Sequence, residues 1–178
     1  LVLESFQSGL SWSTILKKRE AFRAAFASFI PEAVAAFTDQ DRERLMQDAG
    51  IVRNKRKIDA AITNARAVIA LRVALAAEAD AHRAGRMGEA PLTHLLRPRQ
   101  SYPRHLGELV WLYQPNQQPR PRCAQEVPAQ TEESRALSLE LKRRGFVFVG
   151  PVTALALMSA IGIVNTDILG TWKRPLTE

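Results

Sequence analysis

Glu4 is a carboxylate in the mostly apolar opening stretch LVLESF, and Trp12 follows it closely. Moving a charged group out of water is costly unless something pairs with it. Glu4 must therefore either point to solvent or receive a cationic partner. From these residues alone, the alternative is that Glu4 caps a neighbouring backbone group and that Trp12 is a core residue.

A second candidate site lies in the stretch DRERLMQDAGIVRNKRKIDAAITNARA, where two predicted helices flank a tight turn at Gly50. Glycine lets such a turn approach another backbone closely, and amide N–H groups at the start of the second helix attract anions. Cations at the entrance to that helix add to the attraction: Arg53, Lys55, Arg56 and Lys57. The pattern is typical of phosphate binding, although a solvated helix start after a glycine cap would contain the same residues.

The elements that must position these residues are predicted to be helices, since apolar residues recur with helical spacing and no convincing strand pattern appears. Helices are predicted at about 13–29, 31–37, 38–48 and 54–79, within ESRALSLELKRRG, and within GPVTALALMSAIGIV. Prolines interrupt the segment from about Asp80 to Gln130, where only HLGELVWLY indicates a short helix. We therefore expect an all-α fold in which this irregular segment forms loops or a flexible insertion.

Composition fits one domain, residues 1–178, or two small lobes that share a core, because 178 residues with 46% hydrophobic content can bury a sizeable interior. We predict a single helical domain. The net charge of +7 favours nucleic acid or an anionic surface as partner, although many ordinary basic proteins share it. A single cysteine, Cys123, excludes an internal disulfide and indicates a reducing, cytoplasmic location. The longest apolar run, 152–164, is too short to span a bilayer, so we predict a buried helix and no membrane partner.

Four blocks in matching order resemble the DNA-3-methyladenine glycosylase I family of helix-hairpin-helix DNA glycosylases. They are LESFQSGLSWSTILKKRE, LMQDAGIVRNKRKIDAAITNARA, LKRRGFVFVGP and GIVN. The resemblance spans about Leu1 to Asn165 and is weak between Asp80 and Gln130. It implies a helix-hairpin-helix glycosylase fold with the hairpin element at about 39–79, and an enzyme that hydrolyses the N-glycosidic bond of 3-methyladenine. Its substrate would be alkylated double-stranded DNA, from which the base is flipped and an abasic site remains.

The resemblance also assigns roles to individual residues. Glu4 aligns with the family's pocket carboxylate and Trp12 with the aromatic wall on which the damaged base stacks, and we predict both as catalytic. The loop Ser8, Gly9, Leu10 and Ser11 would line the base pocket and enter the duplex, with Leu10 as the wedge. The predicted phosphate contacts are Gly50, Val52, Arg53, Lys55 and Lys57. The run Lys142, Arg143 and Arg144 is a further basic patch or, equally, a solvated helix end.

Departures from the family pattern limit these expectations. The family's leading segment, which carries pocket aromatics and two zinc ligands, has no counterpart here, and the other two ligand positions hold Asp167 and Thr171. The family's tyrosine and glutamine in the final helix align with Leu155 and Ser159. We therefore expect no metal and no cofactor, and a monomer. Three readings stay open: an active zinc-free member, a paralogue with another alkylated-base preference, and a non-enzymatic DNA-binding module.

Overall fold

The structure, a computed structural model, describes residues 1–171, and residues 172–178 of the predicted 1–178 domain lie outside the described residues. Nine α-helices lie within the described residues. They are α1 (Val2–Gln7), α2 (Trp12–Lys17), α3 (Arg19–Ala25), α4 (Pro31–Ala35), α5 (Asp39–Gln47), α6 (Lys55–Arg83), α7 (Leu106–Trp111), α8 (Glu132–Arg143) and α9 (Pro151–Ala160). The all-α prediction is confirmed.

Predicted helix ends are confirmed where side chains cap them. Thr38 and Asp41 form a capping box at the start of α5, and Thr131 forms one with Ser134 at the start of α8. Asn54 accepts a hydrogen bond from the Lys57 amide and starts α6, which runs slightly beyond the predicted end. A polar residue that caps a helix start acts within a few residues, so the starts of these helices could be predicted from the local sequence.

The predicted helix at 13–29 is wrong, because the chain breaks twice within it. α2 ends at Lys17, and Lys18 lies between it and α3. Ala27, Ser28 and Phe29 then adopt left-handed φ values of 47°, 55° and 60°. This region is unfavourable for side-chain-bearing residues by roughly 1 kcal/mol or more each, so surrounding packing must hold it. This turn places Phe29 in the wall of a cavity that Glu4 and Trp12 also line.

Helix α6 is the central element of the core. Its first half packs Ile58, Ala61 and Ile62 with the aromatic cluster of α1 to α3, in which the rings of Phe6 and Phe22 lie 4.8 Å apart. Its second half packs Leu71 and Leu75 with residues from α7, α8 and α9. By length and composition alone α6 could cross a membrane, but a helix buried in a protein core meets the same criterion.

The segment 80–130 contains α7, short 3₁₀ turns and loops, as the prolines predicted. It is packed against the core and is not a loose insertion, because Leu92, Tyr102 and Leu109 are buried in the same cluster as Leu71 and Leu75 of α6. The Tyr102 hydroxyl donates to Glu78 of α6 at 2.7 Å. Arg144, after α8, donates to the same carboxylate at 2.9 Å. The first of these contacts fixes the segment to α6, at a carboxylate that the end of α8 also binds.

Candidate active site and DNA-binding surface

A cavity of about 830 Å³ lies between the chain's opening helices, α6 and the end of α9. This volume is in the range of small-molecule sites and accommodates a purine. Its wall is mainly apolar and includes Leu1, Val2, Leu3, Glu4, Trp12, Leu16, Arg19, Phe29, Pro31, Val34, Ala61, Asn64, Ala65, Val68, Leu106, Leu157, Ala160 and Ile161. The geometry suits a flat, largely apolar ligand with a few polar contacts.

Glu4 supplies the carboxylate of this cavity. It lies in the short helix α1 and is 5% exposed, and no described residue donates a hydrogen bond to its buried Oε2. Burial raises the pKa of Glu4 above its usual value, because the ionised form loses hydration. A buried carboxylate oxygen without a donor is costly, and a cation or a donor group bound beside it would offset this cost.

Trp12 lines the same cavity and is the first residue of α2. Ser11 holds this helix start, because its Oγ accepts a hydrogen bond from the Thr14 amide at 3.2 Å. The Trp12 side chain stays partly exposed, at 36%, which leaves aromatic surface available to a ligand. The structure thus brings Glu4 and Trp12 together around one concave space, while the Gly50 turn does not line it.

Asn64 and Arg19 are cavity residues that the sequence reasoning missed. Asn64 is buried on α6, donates to the Val147 carbonyl at 3.0 Å and accepts from the Val147 amide at 2.8 Å. It therefore joins the cavity wall to the loop before α9. A polar residue between Ala61 and Ala65 on an apolar helix face was the available signal for it. Arg19 is exposed at the cavity edge, and nothing in its local sequence distinguishes it from the neighbouring lysines.

The predicted wedge loop is a hydrogen-bonded type II turn between α1 and α2. The Leu10 amide donates to the Gln7 carbonyl at 2.6 Å, Ser8 has φ −46° and ψ 116°, and Gly9 has φ 79°. Positive φ at the third position explains the glycine. Leu10 is 38% exposed, and none of the four loop residues from Ser8 to Ser11 is among those lining the cavity. The loop is therefore next to the cavity and presents an apolar side chain outward.

The hairpin consists of α5, the turn at 48–54 and α6. Arg53 and Lys55 are exposed at the start of α6, and the Val52 N–H makes no hydrogen bond with the described residues. The Gly50 N–H, in contrast, donates to Asp48 Oδ1 at 2.7 Å. Lys18 Nζ donates to the neighbouring Ala49 carbonyl at 2.7 Å and ties this turn to α3. Gly50 therefore has a packing role, and its amide is not free for an anion.

Replacing Gly50 by alanine is expected to destabilise the protein by about 1–3 kcal/mol. An added Cβ would lie 2.8 Å from Asp48 Oδ1 and 2.9 Å from the Ala21 Cβ, so the hairpin would have to move away from α3. Urea unfolding of the variant measures the loss. Gly88→Ala is the matched control, because a Cβ there meets nothing within 4 Å. Equal stability of the two variants would contradict this packing role.

Lys57 differs from the other predicted phosphate contacts because it is buried, at 8% exposure. Its Nζ donates to the Phe6 carbonyl at 2.9 Å and to the Ser8 carbonyl at 2.6 Å, and burial lowers the pKa of Lys57. An ammonium held in this way is not available to a phosphate on the surface. The prediction of Lys57 as a phosphate contact therefore does not fit the structure.

The basic run at the end of α8, Lys142 to Arg144, is mostly neutralised by ion pairs. Arg143 pairs with Glu140, and Arg144, whose side chain is 6% exposed, pairs with both Glu140 and Glu78. Only Lys142 of the three is exposed without an ion pair to a described residue. This arrangement favours the interpretation of the run as a helix end over that of a separate DNA-binding patch.

The C-terminal positions of the family's zinc site do not fit a metal here. The Thr171 hydroxyl donates to the Ile168 carbonyl at 2.8 Å. No cluster of three or more His, Cys, Asp or Glu side chains suited to a metal ion occurs within residues 1–171. Threonine is also not among the ligands that structural zinc sites use.

Comparison with known proteins matches this architecture to one family. The sequence profile of methyladenine glycosylase matches residues 1–85 and 89–174. DNA-3-methyladenine glycosylase 1 of Escherichia coli (strain K12) is 40% identical over 173 residues, covering 96% of this chain and 77% of its own length. A crystal structure of 3-methyladenine DNA glycosylase I matches with a TM-score of 0.75 and 36% identity, over 98% of this chain and 81% of the other.

A second solved structure, of 3-methyladenine DNA glycosylase I in complex with 3-methyladenine, matches with a TM-score of 0.75 and 28% identity. This match covers 98% of the present chain and 80% of that chain. Sequence profile, curated relative and solved structures therefore agree over nearly the whole chain. The protein belongs to the methyladenine glycosylase family.

Proposed function

We propose that this protein is a DNA-3-methyladenine glycosylase, which hydrolyses the N-glycosidic bond of 3-methyladenine in alkylated double-stranded DNA and leaves an abasic site. The observation that carries the proposal is the buried carboxylate of Glu4, whose Oε2 has no hydrogen-bond donor among the described residues, in a purine-sized cavity that Trp12 also lines. The names of the relatives support the same substrate. We further propose a cytoplasmic monomer.

Selectivity follows from the charge of the lesion. A 3-methyladenine still joined to deoxyribose is cationic, whereas adenine is neutral. The cation satisfies the Glu4 carboxylate and is attracted to the face of the Trp12 ring. Neutral adenine would bury the carboxylate without compensating its charge, so the cavity discriminates by electrostatics as well as by shape.

Catalysis needs little acid chemistry because alkylation already makes the base a good leaving group. The protein holds the extruded nucleotide so that the glycosidic bond breaks as positive charge moves from the base to the sugar. Water then adds to the anomeric carbon and loses a proton, which completes the hydrolysis. In this proposal the carboxylate of Glu4 also stabilises the oxocarbenium-like sugar electrostatically.

DNA engagement uses the surfaces next to the cavity. Leu10, presented by the Ser8–Gly9 turn, fills the space that the flipped base leaves in the duplex. Arg53, Lys55 and the Val52 amide bind phosphates at the start of α6 without reading base sequence. Arg19 at the cavity edge meets the backbone of the extruded nucleotide.

Changing Arg53 and Lys55 to alanine is expected to weaken DNA binding at all sequences. Each lost phosphate contact should reduce the slope of log affinity against log salt by roughly 1. Titrations of an undamaged duplex at several salt concentrations give this slope. Arg135→Ala, which removes an exposed cation on α8, should leave the slope unchanged. A slope in the hairpin variants equal to that of the wild type would contradict the proposed contacts.

The function itself is tested by incubating the protein with methylated duplex DNA and identifying the released bases by chromatography. Release of 3-methyladenine, with abasic sites in equal amount, is the expected result. Tight binding of methylated duplex without any released base would overturn the proposal in favour of a non-enzymatic binding module. Release of only a different methylated purine would overturn the substrate assignment in favour of a paralogue with another preference.

A further inference from the structure

The ammonium group of Lys57 lies inside the protein, where α6 meets the end of α1. Both of its acceptors are carbonyls at the C-terminal end of α1, Phe6 at 2.9 Å and Ser8 at 2.6 Å. The last carbonyls of a helix have no partners within that helix and favour a cation. Lys57 therefore caps α1 from a helix that lies about fifty residues further along the chain.

The Ser8 carbonyl has a specific part in the turn that follows α1. It belongs to the central peptide of the turn from Gln7 to Leu10, and the orientation of this peptide distinguishes a type II turn from a type I turn. A type II turn also places Gly9 at φ 79°, as observed. The hydrogen bond from Lys57 holds this peptide in the type II orientation. The side chain of Gln7 adds a second restraint by donating to the Leu10 carbonyl at 2.7 Å.

We propose that Lys57 is a positioning residue, which holds the turn so that Leu10 is presented to the duplex. The proposal rests on the proposed function for its consequence in catalysis, since Leu10 has a task only if a base is extruded. It also explains why a lysine next to exposed Arg56 is buried: Lys57 connects the phosphate-binding end of α6 to the turn that enters the duplex. A phosphate bound at Lys55 and a wedge at Leu10 are thereby held in one rigid frame.

Lys57→Met tests this, because methionine keeps most of the apolar stem and removes the ammonium. Single-turnover release of 3-methyladenine is measured on two duplexes, one with thymine opposite the lesion and one with an abasic site there. We expect a loss of roughly tenfold on the paired substrate, as for a hydrogen bond to a charged group. Opposite the abasic site, where little pairing has to be broken, the loss should shrink to about twofold or less.

Lys55→Met is the matched control, since it removes a charge two residues away on the surface. It should lower the salt slope of DNA binding, whereas Lys57→Met should leave that slope and the affinity for free 3-methyladenine unchanged. An equal loss on both duplexes, or a lower salt slope in Lys57→Met, would overturn the positioning role. A parallel loss of free-base affinity would also overturn it, because it would mean that the cavity itself had changed.

Hydrogen exchange of the Leu10 amide separates this inference from the proposed function. In the DNA-free protein, Lys57→Met should expose the Leu10 amide to faster exchange, because its bond to Gln7 depends on the turn. Unchanged exchange would overturn the inference even if the enzyme is active. If the wild type releases no base, the proposed function fails while the exchange result still decides the role of Lys57 in the turn.

Gly9→Ala keeps the inference testable if Lys57→Met does not fold. An alanine at φ 79° is strained although its Cβ meets nothing within 4 Å, so it disturbs the turn without touching Lys57. We expect the same dependence on the opposing base as for Lys57→Met. A uniform loss on both duplexes would contradict a role of this turn in breaking the base pair.

Discussion

Glu4→Gln is expected to lower the release of 3-methyladenine from duplex DNA by about a hundredfold or more, as for the loss of one preorganised electrostatic partner. Glutamine has nearly the same shape but carries no charge, so the variant can fill the cavity wall without compensating the cationic base. Single-turnover kinetics on methylated duplex measure the effect. Glu20→Gln, which removes an exposed carboxylate on α3, is the matched control and should retain full activity.

Stability measurements separate this effect from unfolding. Because burial raises the pKa of Glu4, the native state binds a proton more tightly than the unfolded state. The contribution of Glu4 to stability therefore falls as the pH rises from the unfolded pKa through the folded one. Glu4→Gln removes this cost and should be at least as stable as the wild type at neutral pH. A lower melting temperature there would instead indicate that Glu4 stabilises the fold.

The pH dependence of the reaction tests the charge state directly. The cavity needs ionised Glu4, so kcat/KM should fall as the pH drops through the raised pKa, above the 4.5 of an ordinary glutamate. In Glu4→Gln the residual kcat/KM should no longer show this decrease at low pH. If kcat/KM of the variant still decreases at low pH as in the wild type, the titration of a different group causes the decrease.

Trp12→Ala is expected to lower release by about tenfold to a hundredfold, since stacking of a base on an aromatic side chain contributes roughly 1–3 kcal/mol. The loss should appear in the affinity for free 3-methyladenine as well, because the ring contacts the base and not the duplex. Trp12→Phe should recover most of the activity. Leu139→Ala, which truncates an exposed apolar side chain on α8 outside the cavity, serves as control. Equal activity of Trp12→Ala and this control would exclude stacking on Trp12.

Local sequence patterns predicted the hairpin well. Thr38 and Asn54 mark the starts of α5 and α6, and side chains at helix starts act within a few residues. The pairing of Glu4 with Trp12 came from the family resemblance, because nothing in the local pattern distinguishes a cavity residue from a capping or core residue. The cavity itself depends on α6 and α9, which are distant in sequence from both.

Long-range contacts account for what the sequence did not reveal. Lys57 has the same local pattern as exposed Lys55, and its burial becomes visible only when the end of α1 is placed against α6. The left-handed turn at 27–29 likewise follows buried Phe26 and places Phe29 against the same aromatic cluster, which the helical spacing did not indicate. The segment 80–130 lacked helical periodicity, yet Tyr102 and Leu109 bury enough surface to fix it.

The position of α6 in both core clusters has a consequence for how the protein melts. Loss of packing in one cluster removes the partners of half of this helix, and the other cluster packs on the same continuous helix. We expect this shared helix to couple the unfolding of the two halves. Damage to either half, at the hairpin or beneath α9, lowers the melting temperature of the whole molecule.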